Sequence, residues 1–162
     1  MTAPTVPRVE KAYEKHAWII LLAIAIVSFI ASFIDVFVGV GTGAFPDAQT
    51  LRNLTGLTWD QIVTGSPAMT NIIRELEREL ASVELGFSVF GIAIFLKPYR
   101  RGEKWAWYVA WYFPALSIAF IANELIIVHS NQVLLAITPF LIISLLGLLL
   151  PYRKFFPRRL GP

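Results

Sequence analysis

The chain has 162 residues, of which 56% are hydrophobic and 14% aromatic, and its mean hydropathy is +0.63; this composition argues against a water-soluble core and for a membrane-embedded one. The net charge of +3 is small and its positive part is clustered, so it implies attraction to anionic lipid and no nucleic-acid partner. With no cysteine, disulfides, thiolate metal ligands and thiol catalysis are removed together.

The first apolar stretch covers residues 17–40 and is interrupted only by Ser28, Ser32 and Asp35. At ~1.5 Å per residue the part from Trp18 to Val40 reaches about 34 Å, enough to cross a hydrocarbon layer of ~30 Å. It is too long for the apolar region of a signal peptide and is read as a retained span. The run Gly39-Val40-Gly41-Thr42-Gly43 then breaks the helix and opens an external segment over residues 41–69. Within it, Thr58 before Trp59 and Asp60 predicts a capped short helix that stops near Gly65.

Ser66 and Pro67 have the chemistry of a helix cap and first turn. They predict a long helix over residues 68–96 that is amphipathic at first and then spans the membrane. Its early part carries Ile72, Leu76, Leu80 and Val83 at helical spacing, with Arg74, Glu75, Arg78 and Glu79 offering pairs three and four apart. This span is expected to end at Lys97 and Pro98. An eight-residue loop, 97–104, leads into a third span over 105–128, which opens with Trp105, Trp107, Tyr108, Trp111 and Tyr112. A short turn from His129 to Gln132 precedes a nearly all-aliphatic fourth span, 133–150. Pro114 and Pro139 each remove a backbone donor and are expected to kink spans three and four.

Eleven of the fourteen Lys and Arg residues fall in three clusters: Arg8, Lys11 and Lys15; Lys97, Arg100, Arg101 and Lys104; and Arg153, Lys154, Arg158 and Arg159. Basic residues beside membrane spans stay on the cytoplasmic side. The expectation is therefore one all-α membrane domain, a bundle of four transmembrane helices with both termini cytoplasmic and a short helical external segment between helices 1 and 2. The aromatic start of span three fits the inner interfacial belt.

The informative polar residues are Asp35, Glu84, Asn123 and Glu124. Counted from the inner ends of their spans at ~1.5 Å per residue, the three acids lie about 26, 18 and 28 Å across, in the outer half. Small and polar residues share their faces: Ser28, Ala31, Ser32 and Asp35 on span one, Glu77, Ala81, Glu84, Ser88 and Gly91 on span two, and Ala106, Ala110, Ser117 and Glu124 on span three. Such faces meet inside bundles in lipid, so Asp35, Glu84 and Glu124 are expected to cluster with Asn123 nearby. Three carboxylates in one small volume cannot all be charged at neutral pH without a cation. Two readings stay open: a protonated polar plug that aligns the helices, or a site for a cation, a proton or the polar head of a ligand.

Other chemistries find little support. His16 and His129 lie at opposite membrane faces, which speaks against a bis-histidine haem or copper site. An outer zinc-like site of His129, Asp35 and Glu124 is the less favoured alternative to a solvated turn histidine. Ser117 and His129 sit twelve residues apart on one helix and cannot form a nucleophile and base pair. The glycine-rich run follows a membrane helix, where a phosphate-cradling loop is out of place. Asn53-Leu54-Thr55 is a glycosylation sequon whose relevance depends on a secretory eukaryotic setting. No catalytic residue, cofactor or metal is assigned.

Two segments carry a resemblance: Thr55-Gly56-Leu57-Thr58-Trp59-Asp60 with Pro67 and its helix, and Tyr99-Arg100-Arg101-Gly102-Glu103-Lys104-Trp105-Ala106-Trp107. Over most of residues 55–112 the chain resembles a loose group of uncharacterised small prokaryotic four-helix membrane proteins, distantly DoxX-like. The resemblance implies the four-helix plan and a multi-pass protein of a prokaryotic cell membrane, and transfers no functional residue. The leading expectation is a non-enzymatic protein acting through assembly with itself or a larger membrane complex. The first alternative is a small ion-, proton- or ligand-handling protein using the outer carboxylates; the second is a membrane enzyme acting on a lipid-like substrate.

Overall fold

The computed structural model describes residues 12–38 and 48–157. The glycine-rich run 39–43, together with Arg8, Lys11, Arg158 and Arg159 of the basic clusters, lies outside the described residues. In chain order the helices are α1 (Ala12–His16), α2 (Trp18–Phe37), α3 (Ala48–Thr55), α4 (Trp59–Gly65) and α5 (Pro67–Ile94). They are followed by α6 (Lys104–Ala110), α7 (Tyr112–Asn123), α8 (Asn131–Leu149) and α9 (Tyr152–Phe155). Single π-helical turns extend α5 over Phe95–Tyr99 and α7 over Glu124–Val128. No strand occurs among the described residues. Four continuous helical stretches, Ala12–Phe37, Pro67–Tyr99, Lys104–Val128 and Asn131–Phe155, are long and apolar enough to cross a membrane.

Local chemistry sets the helix starts. Thr58 and Gln61 form a reciprocal capping box at α4, and the Ser66 hydroxyl accepts from Met69 N–H at the start of α5, with Pro67 in its first turn. One expectation is corrected. The helix does not stop at Lys97 and Pro98: a π turn carries it past the missing proline donor as far as Arg101, leaving a tight turn at Gly102 and Glu103. Pro114 interrupts the third span one turn earlier, at Trp111, because its ring meets the carbonyl four residues back and α6 ends at Ala110. Pro139 leaves α8 unbroken. Helix α3 is not foreseen as a separate element: its eight residues are polar on average, yet they are amphipathic and bury Thr50 and Leu51.

Large apolar side chains on all four long helices face outward, among them Val27, Phe37, Val83, Ile126 and Leu135, the last 77% exposed. A water-soluble monomer rarely shows so much contiguous apolar surface. Even the early stripe of α5, Ile72, Leu76 and Leu80, points outward. Its opposite face, with Thr70, Glu77, Ala81 and Glu84, turns inward.

Within the bundle α2 packs along α5 and α8, and α8 packs along α7. Small residues permit these approaches: a Cβ at Gly147 of α8 would fall 2.7 Å from Leu21 of α2, which is fully buried. The end holding α1, α9 and the 102–103 turn is basic, and aromatic rings lock it. Arg100 lies over the Trp18 ring at 4.9 Å, and Lys104 lies 5.7 Å from the Phe156 ring.

At this end the last carbonyls of α8 lack helical partners, because Pro151 has no N–H to offer Gly147 O. Tyr99 Oη donates to Gly147 O at 2.8 Å, and Trp107 Nε1 donates to Leu148 O at 3.0 Å. Both bonds are buried, so one side chain from α5's π turn and one from α6 cap α8. Replacing Tyr99 by Phe keeps the ring and orphans Gly147 O. Tyr99→Phe should therefore lose about 1–3 kcal/mol in reversible unfolding from mixed micelles, whereas Tyr152→Phe, at a half-exposed position, should change little.

Candidate functional site

The interface of α2 and α5 carries a polar seam. Ser32 is almost fully buried, and its hydroxyl donates to Glu84 Oε2 at 3.4 Å across the two helices. Asp35, one turn further along α2, interacts electrostatically with both Glu84 and Glu77 of α5, and Arg74 faces Glu77. The Arg74 guanidinium also lies 5.9 Å from the Trp59 ring of α4. Both Glu77 carboxylate oxygens and Arg74 Nε are enclosed without a hydrogen-bond partner. Glu77 lies seven residues before Glu84, two helical turns along one face, which is the sequence signal that ties it to this seam.

Glu84 also borders a cavity of about 370 Å³. Ser28, Phe87 and Ser88 complete the wall from α2 and α5; Tyr112, Phe113, Leu116, Ser117 and Phe120 form the α7 wall; Gln132, Val133, Ala136, Ile137 and Phe140 form the α8 wall. The space exists because α5 and α7 are joined by side chains rather than by close backbone packing. Tyr112 Oη donates to Phe87 O at 3.3 Å, and the Phe113 ring stacks 5.6 Å from Phe95. Gly91 makes room for this bridge, since a Cβ there would lie 2.5 Å from Tyr112 Oη. Among the described residues, Glu84 is the only charged side chain on the cavity wall.

The nearly all-aliphatic fourth span supplies one side of the cavity. Its lining residues recur at 133, 136, 137 and 140, and those of α7 at 112, 116 and 120. Both are helical periods legible in the sequence. What that pattern does not carry is polarity, so it resembles ordinary packing.

Glu124 has a different environment. It is 5% exposed, and its carboxylate accepts from Ser130 N–H at 3.3 Å. Its backbone carbonyl accepts from His129 N–H at 2.6 Å. His129 holds a left-handed backbone conformation, φ 59°, that reverses the chain within two residues, and Ser130 then caps α8 through Val133 N–H. From α3, Asn53 Nδ2 donates to the carbonyls of Val128 and His129, each at 3.0 Å, and Gln49 Oε1 accepts from Gln132 N–H. Glu124 thus serves the turn between α7 and α8, and Asn123 beside it is exposed. Among the described residues no three His, Asp or Glu side chains converge as a metal site would require.

The arrangement can hold a small, largely apolar molecule against one carboxylate, and it sets Glu84 and Glu124 to separate tasks. Glu124→Ala removes the acceptor for a buried N–H and should cost about 1–3 kcal/mol in unfolding measurements, while Glu124→Gln, which keeps an acceptor oxygen, should cost less. Comparison with protein-family models, curated proteins and solved structures gives no match to this chain, so its function rests on its own geometry.

Proposed function

We propose that this chain is a non-enzymatic membrane protein that binds a small, mostly apolar ligand within its helix bundle, with Glu84 holding the ligand's polar end. The observation that carries this reading is the cavity between α2, α5, α7 and α8 with Glu84 on its wall. Its volume lies at the lower end of the range for small-molecule sites, and its make-up, many apolar groups around few polar ones, is typical of them. Ligand handling is therefore favoured over a purely scaffolding role, for which a dry, close-packed seam would be the natural interior.

An enzymatic role gains less support. General acid and base chemistry works through paired or assisted groups. Beside Glu84, the polar side chains on the cavity wall are serine, tyrosine and glutamine, and the described hydroxyl bonds of Ser88, Ser117 and Tyr112 run to backbone carbonyls. In this proposal the host is a prokaryotic cell membrane, in keeping with the DoxX-like resemblance. The basic end, with Lys97, Arg100, Arg101 and Lys104, faces the cytoplasm, and the segment holding α3 and α4 lies outside. Assembly with itself or with a membrane complex is compatible with the outward apolar faces.

The test uses the protein in lipid nanodiscs and N-phenyl-1-naphthylamine, a neutral dye that brightens in apolar sites. Wild-type protein should add a saturable component to the signal of empty nanodiscs. Ala136→Trp, which fills the cavity from α8, should abolish that component while leaving the helical content and unfolding midpoint in place. Absence of a saturable component, or one that survives in the folded Trp variant, would remove the reading.

A further inference from the structure

We infer that the ligand of the Glu84 cavity is a lipophilic ammonium ion: an apolar body carrying a single positive charge. The inference rests on the reading of the cavity as a ligand site and adds the chemical class of its occupant.

Charge is the first ground. Glu84 is the only charged side chain among the described residues on the cavity wall, and no Lys, Arg or His there would neutralise it or attract an anion. A carboxylate in apolar surroundings is costly without a partner, and a cation brought into the cavity supplies one. The Ser32 hydroxyl reaches Oε2 from behind the wall, since Ser32 itself does not line the cavity.

The direction of the hydroxyl hydrogen bonds is the second ground. Ser88 Oγ donates to Glu84 O at 2.8 Å, Ser117 Oγ to Phe113 O at 3.0 Å, and Tyr112 Oη to Phe87 O at 3.3 Å. Their protons are committed to backbone carbonyls, so what these groups present to the cavity is lone pairs. Three hydroxyl oxygens so directed, beside one carboxylate, favour a donor or a cation at the Glu84 end of the cavity; the Ser28 hydroxyl and the Gln132 amide are the other polar groups on the wall.

Aromatic faces are the third ground. Five aromatic side chains, Phe87, Tyr112, Phe113, Phe120 and Phe140, line the cavity, so aromatic rings make up much of its wall. Ring faces attract cations and most strongly where water is excluded, and they are the common surroundings of ammonium ligands.

The test compares benzyltrimethylammonium with neopentylbenzene, its uncharged carbon isostere, as competitors of the N-phenyl-1-naphthylamine component at matched concentration in the nanodisc membrane. The cation should displace the dye at a concentration about tenfold lower than the isostere, a difference of about 1.4 kcal/mol. Glu84→Gln should bring the two competitors together. Equal or better displacement by the isostere, or displacement by neither compound, would overturn the inference, as would a folded Glu84→Gln protein that keeps the preference for charge. The wild-type comparison stands alone if that variant does not fold. A wild-type protein without a saturable dye signal would instead remove the underlying reading of the cavity.

Discussion

In an apolar surrounding every backbone polar group needs a partner inside the protein, and the last turn of α8 is where this constraint bears hardest. Pro151 leaves Gly147 O without its helical donor, and Leu148 O lies in the same terminal turn. The answers come from other segments: a tyrosine on the π turn after α5 and a tryptophan on α6. Because these bonds must be made, three of the four spans are drawn together at one level. Gly147 lets α8 close on Leu21 of α2 just beside them. The basic end is therefore the fixed end of the bundle.

Away from that end, α5 and α7 no longer pack directly, and rings of Phe113 and Tyr112 bridge them. The bridging rings are part of the cavity wall, and Glu84 borders the same space. Glu84 and Glu124 illustrate how position decides the task of one functional group. Glu124 is spent on a backbone N–H in a turn that also needs a left-handed residue, and it is ordered by the chain around it. Glu84 receives a single hydroxyl from across the seam and keeps the rest of its surroundings open.

Much of this was legible beforehand because it depends on local rules. Span lengths follow from hydrophobic run length, and Thr58, Ser66 and Pro67 mark helix starts by their own chemistry. The inward face of α5 could be traced from Glu77 through Glu84 to Gly91 by helical period. What was not legible depends on partners far along the chain. Pro98 reads as a stop because its missing donor is a local fact, whereas the π turn that carries the helix past it forms where Tyr99 is anchored on α8. Glu124 shares a small-residue face with Ser117, yet its carboxylate is used by Ser130, six residues later, once the π turn and His129 fold the chain back. The cavity was hidden for a further reason: two of its walls are built from apolar residues whose spacing is the same as that of a packed core.

The central claim is that the bundle interior beside Glu84 is an open, polar-edged space instead of a closed seam. The chain has no cysteine, so single cysteines can be placed without background. The most direct measurement is the reaction of Ser117→Cys, on the cavity wall, and Leu135→Cys, on the outward face of α8, with a small cationic methanethiosulfonate in nanodiscs. The account predicts that the cysteine at 117 reacts readily and is protected by benzyltrimethylammonium, while the one at 135 stays unreactive. A cysteine at 117 as inert as that at 135 in folded protein would contradict it.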